Sequence, residues 1–407
     1  MTMKIKHLFI IAFVTLSLPM AAQKLFSLED LNFGGNNYRN LQPENKWYTW
    51  WGDELIRTDV EECYLVNKKT GKETLLFTLD EVNKWADSDE EKNRYIRHLT
   101  NADFPYPNQP LVALGNKKSF LLLDFKKHKI VWQDSISGQT ANDWNKVSRA
   151  TAYVEDHQLF VVDGEGQKHQ LSTDGSRDIV YGQSVHRNEF GIEKGTFWSS
   201  DGQRLAFYRM DQSMVQDYPQ VDIFPREATH EPDKYPMAGM NAHVVTVGVY
   251  DIVTNKTVYL KTPNGSVTGD FVTDTKPVYF TNIAWSPDAK TVYMFELNRK
   301  QNDCRLVSYN AETGEKIAEL YRETSDKYVE PLHPIQFLPW HATKFIMQSQ
   351  KDGYNHLYLF DTTGKELKQL TAGAWVVKDV LGFNQKQKSV IILSNERHPL
   401  QSNDYAV

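Results

Sequence analysis

From residue 46 onward, short apolar and aromatic runs recur along the chain. Each closes on an Asp or Asn and a tight turn. The clearest copies are Cys63-Tyr64-Leu65-Val66-Asn67 leading to Gly71, and Leu306-Val307-Ser308-Tyr309-Asn310 leading to Gly314. Leu159-Phe160-Val161-Val162-Asp163 leads to Gly166, and Leu357-Tyr358-Leu359-Phe360-Asp361 leads to Gly364. In Val247-Gly248-Val249-Tyr250-Asp251 the closing position holds Asn255, the other residue that tolerates positive φ. A weaker copy runs from Phe120 to Asp124 without the glycine. Each unit predicts a β-hairpin in which Asp or Asn opens the turn and Gly closes it.

A second hairpin type interleaves with the first. It reads Phe197-Trp198-Ser199-Ser200-Asp201-Gly202 before Leu205-Ala206-Phe207, and Ala284-Trp285-Ser286-Pro287-Asp288 before Val292-Tyr293-Met294. Looser copies start at Phe337 and Phe383. Two hairpins make a four-stranded sheet, and four-stranded units at a spacing near 50 residues predict β-propeller blades. A β-sandwich array is the runner-up, and the alternation of the two hairpin types favours blades. The copies imply about six to seven blades of four-stranded antiparallel sheet. The long gap between Asp163 and Asp251 implies an insertion over Asp211 to Ala242, read as a long loop or arm. Thr78 with Glu81, and Ser88 with Glu91, have capping-box spacing and predict short helices within Leu79 to Leu99.

The first residues follow another pattern. Lys4, Lys6 and His7 precede an apolar run from Leu8 to Leu18, broken at Pro19 and followed by Ala21 and Ala22. That is the layout of a secretory signal, and the run is shorter than the roughly 20 residues that span a bilayer. The domain reading is therefore a signal peptide at 1–23, an N-terminal segment at 24–45 and a propeller at 46–407. The protein is expected in the periplasm or secreted, with no membrane attachment after cleavage. Export permits disulfides, yet the only cysteines are Cys63 and Cys304, in different repeats, and they are read as two buried free thiols. Aromatic residues make up 12% of the chain, which favours strands. The net charge of −6 and the lack of a basic run exclude a nucleic-acid partner.

The search for chemistry turns up no complete constellation. The Gly-x-Ser-x-Gly elbow of a serine hydrolase is missing, and its nearest approach, Gly182-Gln183-Ser184-Val185-His186, lacks the second glycine. No catalytic residue is assigned, and this chain alone is expected to be inactive. His230, His243, His333, His341 and His356 show no ligand spacing, and no glycine loop suits a phosphate, so neither metal nor cofactor is expected. The polar stretch YGQSVHRNEFGIEK, Tyr181 to Lys194, stands out. It sets Glu189 and Glu193 beside His186 and Arg187. Two readings stay open here: surface charges in an ion pair, or a carboxylate that faces a cavity and binds a ligand amine.

The stretch from Tyr181 through Gln212 resembles the corresponding part of the dipeptidyl peptidase IV family, and in particular its bacterial prolyl tripeptidyl peptidases. Tyr235-Pro236-Met237-Ala238-Gly239, Tyr328-Val329-Glu330-Pro331-Leu332-His333-Pro334, and the stretches from Gln350 to Tyr358 and from Leu370 to Trp375 carry the same resemblance. The resemblance implies an eight-bladed propeller that caps an α/β-hydrolase domain and gates the way to a Ser-Asp-His triad. It also implies a peptide substrate with a free N-terminus, cleaved after proline to release two or three residues. Glu189 takes the place of the second glutamate that binds the substrate α-amine, and Asn188 stands where the first would be. Glu193 and Arg187 are weaker candidates for substrate binding. The chain ends at Val407, short of the family's last blade and catalytic domain, and so reads as truncated. Either a homodimer or a missing catalytic half would complete it. The alternative reading is a non-catalytic secreted propeller that binds protein or peptide, or a gene fragment without function.

Overall fold

The structure is a computed structural model and describes residues 25–41, 46–87, 95–115, 119–135, 139–263 and 276–407. The predicted signal segment therefore lies outside the described residues, as does the Ser88–Glu91 capping box. The chain divides into two compact units, Met1–Ile136 and Ser137–Val407. Its fold is all-β and of the β-propeller class, with seven blade-type antiparallel sheets among the described residues.

The first unit begins with α1 (Leu28–Leu31) and α2 (Asn36–Leu41). One sheet follows in chain order: β1 (Trp47–Trp51), β2 (Glu54–Thr58), β3 (Glu62–Val66) and β4 (Glu73–Thr78). The predicted helix forms as α3 (Leu79–Trp85). The Thr78 hydroxyl accepts from the Glu81 amide, and the Glu81 carboxylate accepts from that of Thr78. The unit's second sheet is β5 (Leu111–Gly115), β6 (Ser119–Asp124) and β7 (Lys129–Ser135). The two sheets share a core of Ile56, Phe77, Leu114, Leu121 and Phe125.

Among the described residues the second unit holds five blade-type sheets. The first is β8 (Thr140–Trp144), β9 (Thr151–Glu155), β10 (Gln158–Val162) and β11 (Lys168–Gln170). In the next, β12 (Ile179–Tyr181) and β13 (Thr196–Trp198) both pair with β14 (Arg204–Asp211). The insertion leaves from the end of β14. It forms a narrow arm of two-residue ladders, with β15 (Asp217–Tyr218) on the later β18 (Asp233–Lys234) and β16 (Val221–Asp222) on β17 (Thr229–His230). Ladders this short have no readable period, which is why the sequence suggested only a loop or arm. The sheet resumes with β19 (Val244–Asp251) and β20 (Lys256–Tyr259). Then come β21 (Pro277–Trp285), β22 (Thr291–Asn298), β23 (Asp303–Asn310) and β24 (Lys316–Thr324). The sheet after that is β25 (Gln336–Leu338), β26 (His341–Ser349), β27 (His356–Asp361) and β28 (Glu366–Gln369), and the last is β29 (Val377–Asn384), β30 (Ser389–Ser394) and β31 (Asn403–Ala406).

Successive side chains on a strand point to opposite faces of its sheet, so a sheet packed on both faces feeds two cores. On β14, Leu205 and Phe207 join Val154, Leu159 and Val161 of the preceding sheet. Its alternate residues Ala206, Tyr208 and Met210 join Phe280, Val292 and Met294 of the following one. β22 repeats the division: Val292 and Met294 face back, while Tyr293, Phe295 and Leu297 face forward to Phe345, Met347 and Tyr358. Two-sided burial is why these strands read as nearly unbroken apolar runs. Indole donors tie neighbouring sheets further. Trp198 Nε1 donates to the Asp143 carbonyl at 2.9 Å, and Trp285 Nε1 to that of Phe197 at 2.9 Å. Cys63 and Cys304 are both buried free thiols.

The first predicted hairpin type joins the last two strands of its sheet, and the second joins an earlier pair. The reason for the opening Asp or Asn is visible in each. Asn310 Oδ1 accepts from the amides of Glu312 and Thr313, both at 2.9 Å, and Asp163 Oδ1 from Glu165 at 3.1 Å and Gln167 at 2.8 Å. In the copy without glycine, His128 takes the left-handed conformation at φ 55°. Gly314 and Gly166 close their turns at φ 73° and 86°, but a Cβ on Gly314 would sit 2.3 Å from the Tyr259 carbonyl oxygen, whereas Gly166 meets nothing within 4 Å. Gly166→Ala should therefore cost about 1 kcal/mol, the left-handed penalty alone, and Gly314→Ala at least about twice that. Denaturant midpoints of the two variants measured side by side check this, and equal losses would refute the packing of β20 against that turn.

Candidate functional site

The singled-out stretch is a strap extruded from an edge strand. β12 and β13 lie along the same side of β14, with Tyr181 opposite Arg209 and Thr196 opposite Phe207. Only Tyr208 of β14 faces the break between them. At the neck of the strap the Gly182 amide donates to the Tyr208 carbonyl, and the Tyr208 amide donates to the Gly195 carbonyl, both at 2.9 Å. A Cβ on Gly195 would lie 2.0 Å from the Gln183 carbonyl oxygen, so only glycine lets the two arms pass this closely.

Beyond the neck the backbone is wound left-handed. His186, Arg187 and Asn188 have φ of 54°, 58° and 62°, Glu189 returns to an extended φ of −69°, and Phe190 and Gly191 are left-handed again. Left-handed L-residues cost roughly 1–2 kcal/mol each and persist only where surrounding contacts over-determine them. Here the contacts are on either side of Glu189. His186 is buried, with Nδ1 2.8 Å from His243 Nε2, and its Nε2 accepts from the Phe280 amide of β21 at 3.4 Å. Phe190 is buried against the Tyr279 ring at 5.1 Å, and the same ring meets His186 edge-on at 5.0 Å. The Arg299 guanidinium binds the Tyr279 hydroxyl.

The structure separates the three sequence-derived candidates. Glu189 is exposed, and its carboxylate has no hydrogen bond or ion pair among the described residues. Glu193 is exposed and lines a separate cavity of about 260 Å³ with Asn142, Ser184 and Lys194. Arg187 is engaged by the arm: its Nη1 donates to Asp233 at 3.0 Å and its guanidinium lies 5.1 Å from the Tyr235 ring centroid. A second cavity, of about 300 Å³, lies between strap and arm and is lined by Arg187, Asn188, Lys234 and His243 among others. The segment does not combine the candidates into one cluster. It presents two exposed carboxylates without a partner among the described residues, Glu189 and Glu193, and only Glu189 stands between the two flanks that β21 holds.

Residues 115–407 match the family model described as the dipeptidyl peptidase IV (DPP IV) N-terminal region. The chain belongs to this family. A solved structure described as a "putative dipeptidyl aminopeptidase IV" from Bacteroides ovatus is 42% identical, with a TM-score of 0.82 over 94% of this chain and 54% of that one. Porphyromonas gingivalis dipeptidyl peptidase 4 shares the fold at 21% identity, with a TM-score of 0.69, 89% of this chain and 52% of that one covered. A "Probable dipeptidyl-aminopeptidase B" from Talaromyces marneffei is 27% identical over 65% of this chain and 32% of its own length. The chain thus spans about half or less of the relatives it matches.

Within this DPP IV-type region, the groups that sequence reasoning passed over are the ones that hold the strap: His243, Tyr279, Phe280 and Asn282. A signal for Asn282 exists, a Thr-Asn pair interrupting the apolar run of β21. His243 had none, since its partner is distant in sequence. The hydrogen bonds set the histidine tautomers. His186 Nε2 accepts, so its Nδ1 carries the proton and donates to His243 Nε2, which must be bare. Burial, followed by the charges of Arg299 and Arg187, lowers the His243 pKa from 6.5 to about 4; burial and then His243 hold His186 well below its ordinary value. A depressed folded pKa means that the unfolded chain binds the proton first. The stabilisation is complete above pH 6.5 and is lost as pH falls from there towards 4. Unfolding free energy should therefore fall by roughly 2 kcal/mol between pH 7 and pH 5 through His243. A His243→Gln variant should show a shallower slope in urea titrations at the two pH values, and an unchanged slope would show that the pair is not neutral in the fold.

Proposed function

We propose that this chain is the part of a secreted peptidase of the DPP IV family that gates substrate entry and recognises a peptide's free N-terminus, with Glu189 as the anchor for the α-amine. The observation that carries this reading is the setting of Glu189: an exposed carboxylate without a partner among the described residues, on backbone held at both flanks by β21. A peptide ammonium offers such a group three donors and a full positive charge. Asn188 offers no second charge, so one carboxylate holds the amine, a departure from the dipeptidyl pattern that leans towards tripeptide release. Glu193 and Arg187 are secondary, Glu193 because it lies beyond the two flanks that β21 holds and Arg187 because Asp233 already pairs with it. The amino-terminal apolar run would direct export. Besides the peptide substrate, the family pattern calls for a catalytic serine-peptidase half, and a second copy of the chain is the alternative partner.

The test joins the chain to the catalytic domain of a relative and compares Glu189→Gln with Glu193→Gln. Gln keeps the shape and removes the charge. Glu189 is exposed in this chain, so the loss on removing one partner of an enclosed charge pair, roughly 30-fold to several thousand-fold in kcat/KM on free-amine peptides, applies where the joined catalytic domain covers it. That is the loss expected for Glu189→Gln, with turnover of N-acetylated peptides unchanged. A larger loss in Glu193→Gln, or silence in both, would leave Glu189 as a surface carboxylate.

A further inference from the structure

From the geometry of β21 we infer that Asn282 is a positioning residue for the Glu189 carboxylate: its side-chain amide, rather than the strap's own sequence, sets where that carboxylate stands. The inference rests on Glu189 being the amine anchor and names what makes it one.

β21 bulges between Thr281 and Ala284, where its register with β22 slips. Asn282 sits in that bulge at φ 55°, a conformation Asn tolerates better than most residues, and is only 7% exposed. The bulge turns its side chain out of the ladder. Nδ2 donates to the Phe190 carbonyl at 3.0 Å and to the Pro331 carbonyl at 2.6 Å, with Thr281 Oγ1 at 3.1 Å. One amide group thus joins the residue after Glu189 to the loop ahead of β25. Strap and loop are pressed together at this point, since a Cβ on Gly191 would lie 2.0 Å from the Leu332 carbonyl oxygen. Two carbonyls brought this close need a shared donor, because a buried carbonyl left unpaired costs free energy. Two residues earlier on the same strand, the Phe280 amide holds the other flank of the strap through His186. Glu189 is suspended between two grips on one strand, and Asn282 supplies the grip next to it.

The test uses Asn282→Gly, which keeps the left-handed backbone and loses the donor, and Asn282→Asp, which keeps the size and sets oxygens against both carbonyls. Two readouts are taken on the chain: amide hydrogen exchange of the strap, and the affinity ratio for a proline-containing tripeptide with a free amine over its N-acetyl form. The Asn188, Glu189 and Ile192 amides are all bonded within the strap, and in both variants they should exchange at least about tenfold faster. The affinity ratio should drop to that of Glu189→Gln, which itself leaves exchange unchanged. A merely structural role would lower both affinities together and leave their ratio intact. Exchange as slow as in the wild type, or a wild-type ratio in either folded variant, overturns the inference. A wild-type chain with no preference for the free amine overturns the reading of Glu189 instead, and the exchange data then still decide whether Asn282 sets the strap.

Discussion

A blade-type sheet in the middle of the second unit buries its middle strands on both faces and leaves its last strand largely exposed. Its middle strands bury alternate side chains in two different cores, so each sheet is fixed by the sheet before it and the sheet after it. Exposed surface is left to turns, insertions, strand ends and the last strand of each sheet. Turns with local reasons of their own, an Asn or Asp accepting from the next amides and a left-handed closing residue, leave little freedom for a ligand site. The strap and the arm are the departures in the second unit, and both grow from the sheet of β14.

That placement accounts for the cost and the use of the strap. Five residues in left-handed conformation around Glu189 are tolerable only because β21, a strand of the next sheet, grips both flanks. The packing between sheets, which serves stability elsewhere, here holds an exposed carboxylate in one place. Pre-organisation of this kind lowers the ordering cost of binding, since the group need not be immobilised when the ligand arrives. Burial of His186 and His243 in the same grip makes it sensitive to acid, because a proton added to either Nε2 would face the N–H that donates to it.

Most of the fold was legible from local chemistry. Asn67, Asp163, Asp251, Asn310 and Asp361 announce hairpins because their side chains act on amides two to four residues away, and Thr78 with Glu81 announces α3 for the same reason. Much of the site was not. Arg187 meets Asp233, His186 meets His243, and Asn282 meets two carbonyls, all across long separations. Backbone acceptors leave no mark in a sequence at all. Glu189 was singled out by a charged stretch and a family likeness, but its lack of an internal partner is a property of the folded strap. The arm's strands were hidden because ladders of two residues carry no period.

The central claim is that Glu189 meets a peptide's α-ammonium directly, and the pKa of that amine in the complex measures it. A carboxylate at contact distance favours the charged form, so the amine, near 8 in a free peptide, should titrate about one unit higher or more when bound. A tripeptide ¹⁵N-labelled at its N-terminus and followed by NMR on the chain, across pH 6 to 10, reads this value. A raised pKa that returns to the free value in Glu189→Gln is the expected result. A bound amine whose pKa is unchanged or lowered in the wild-type chain would contradict direct pairing.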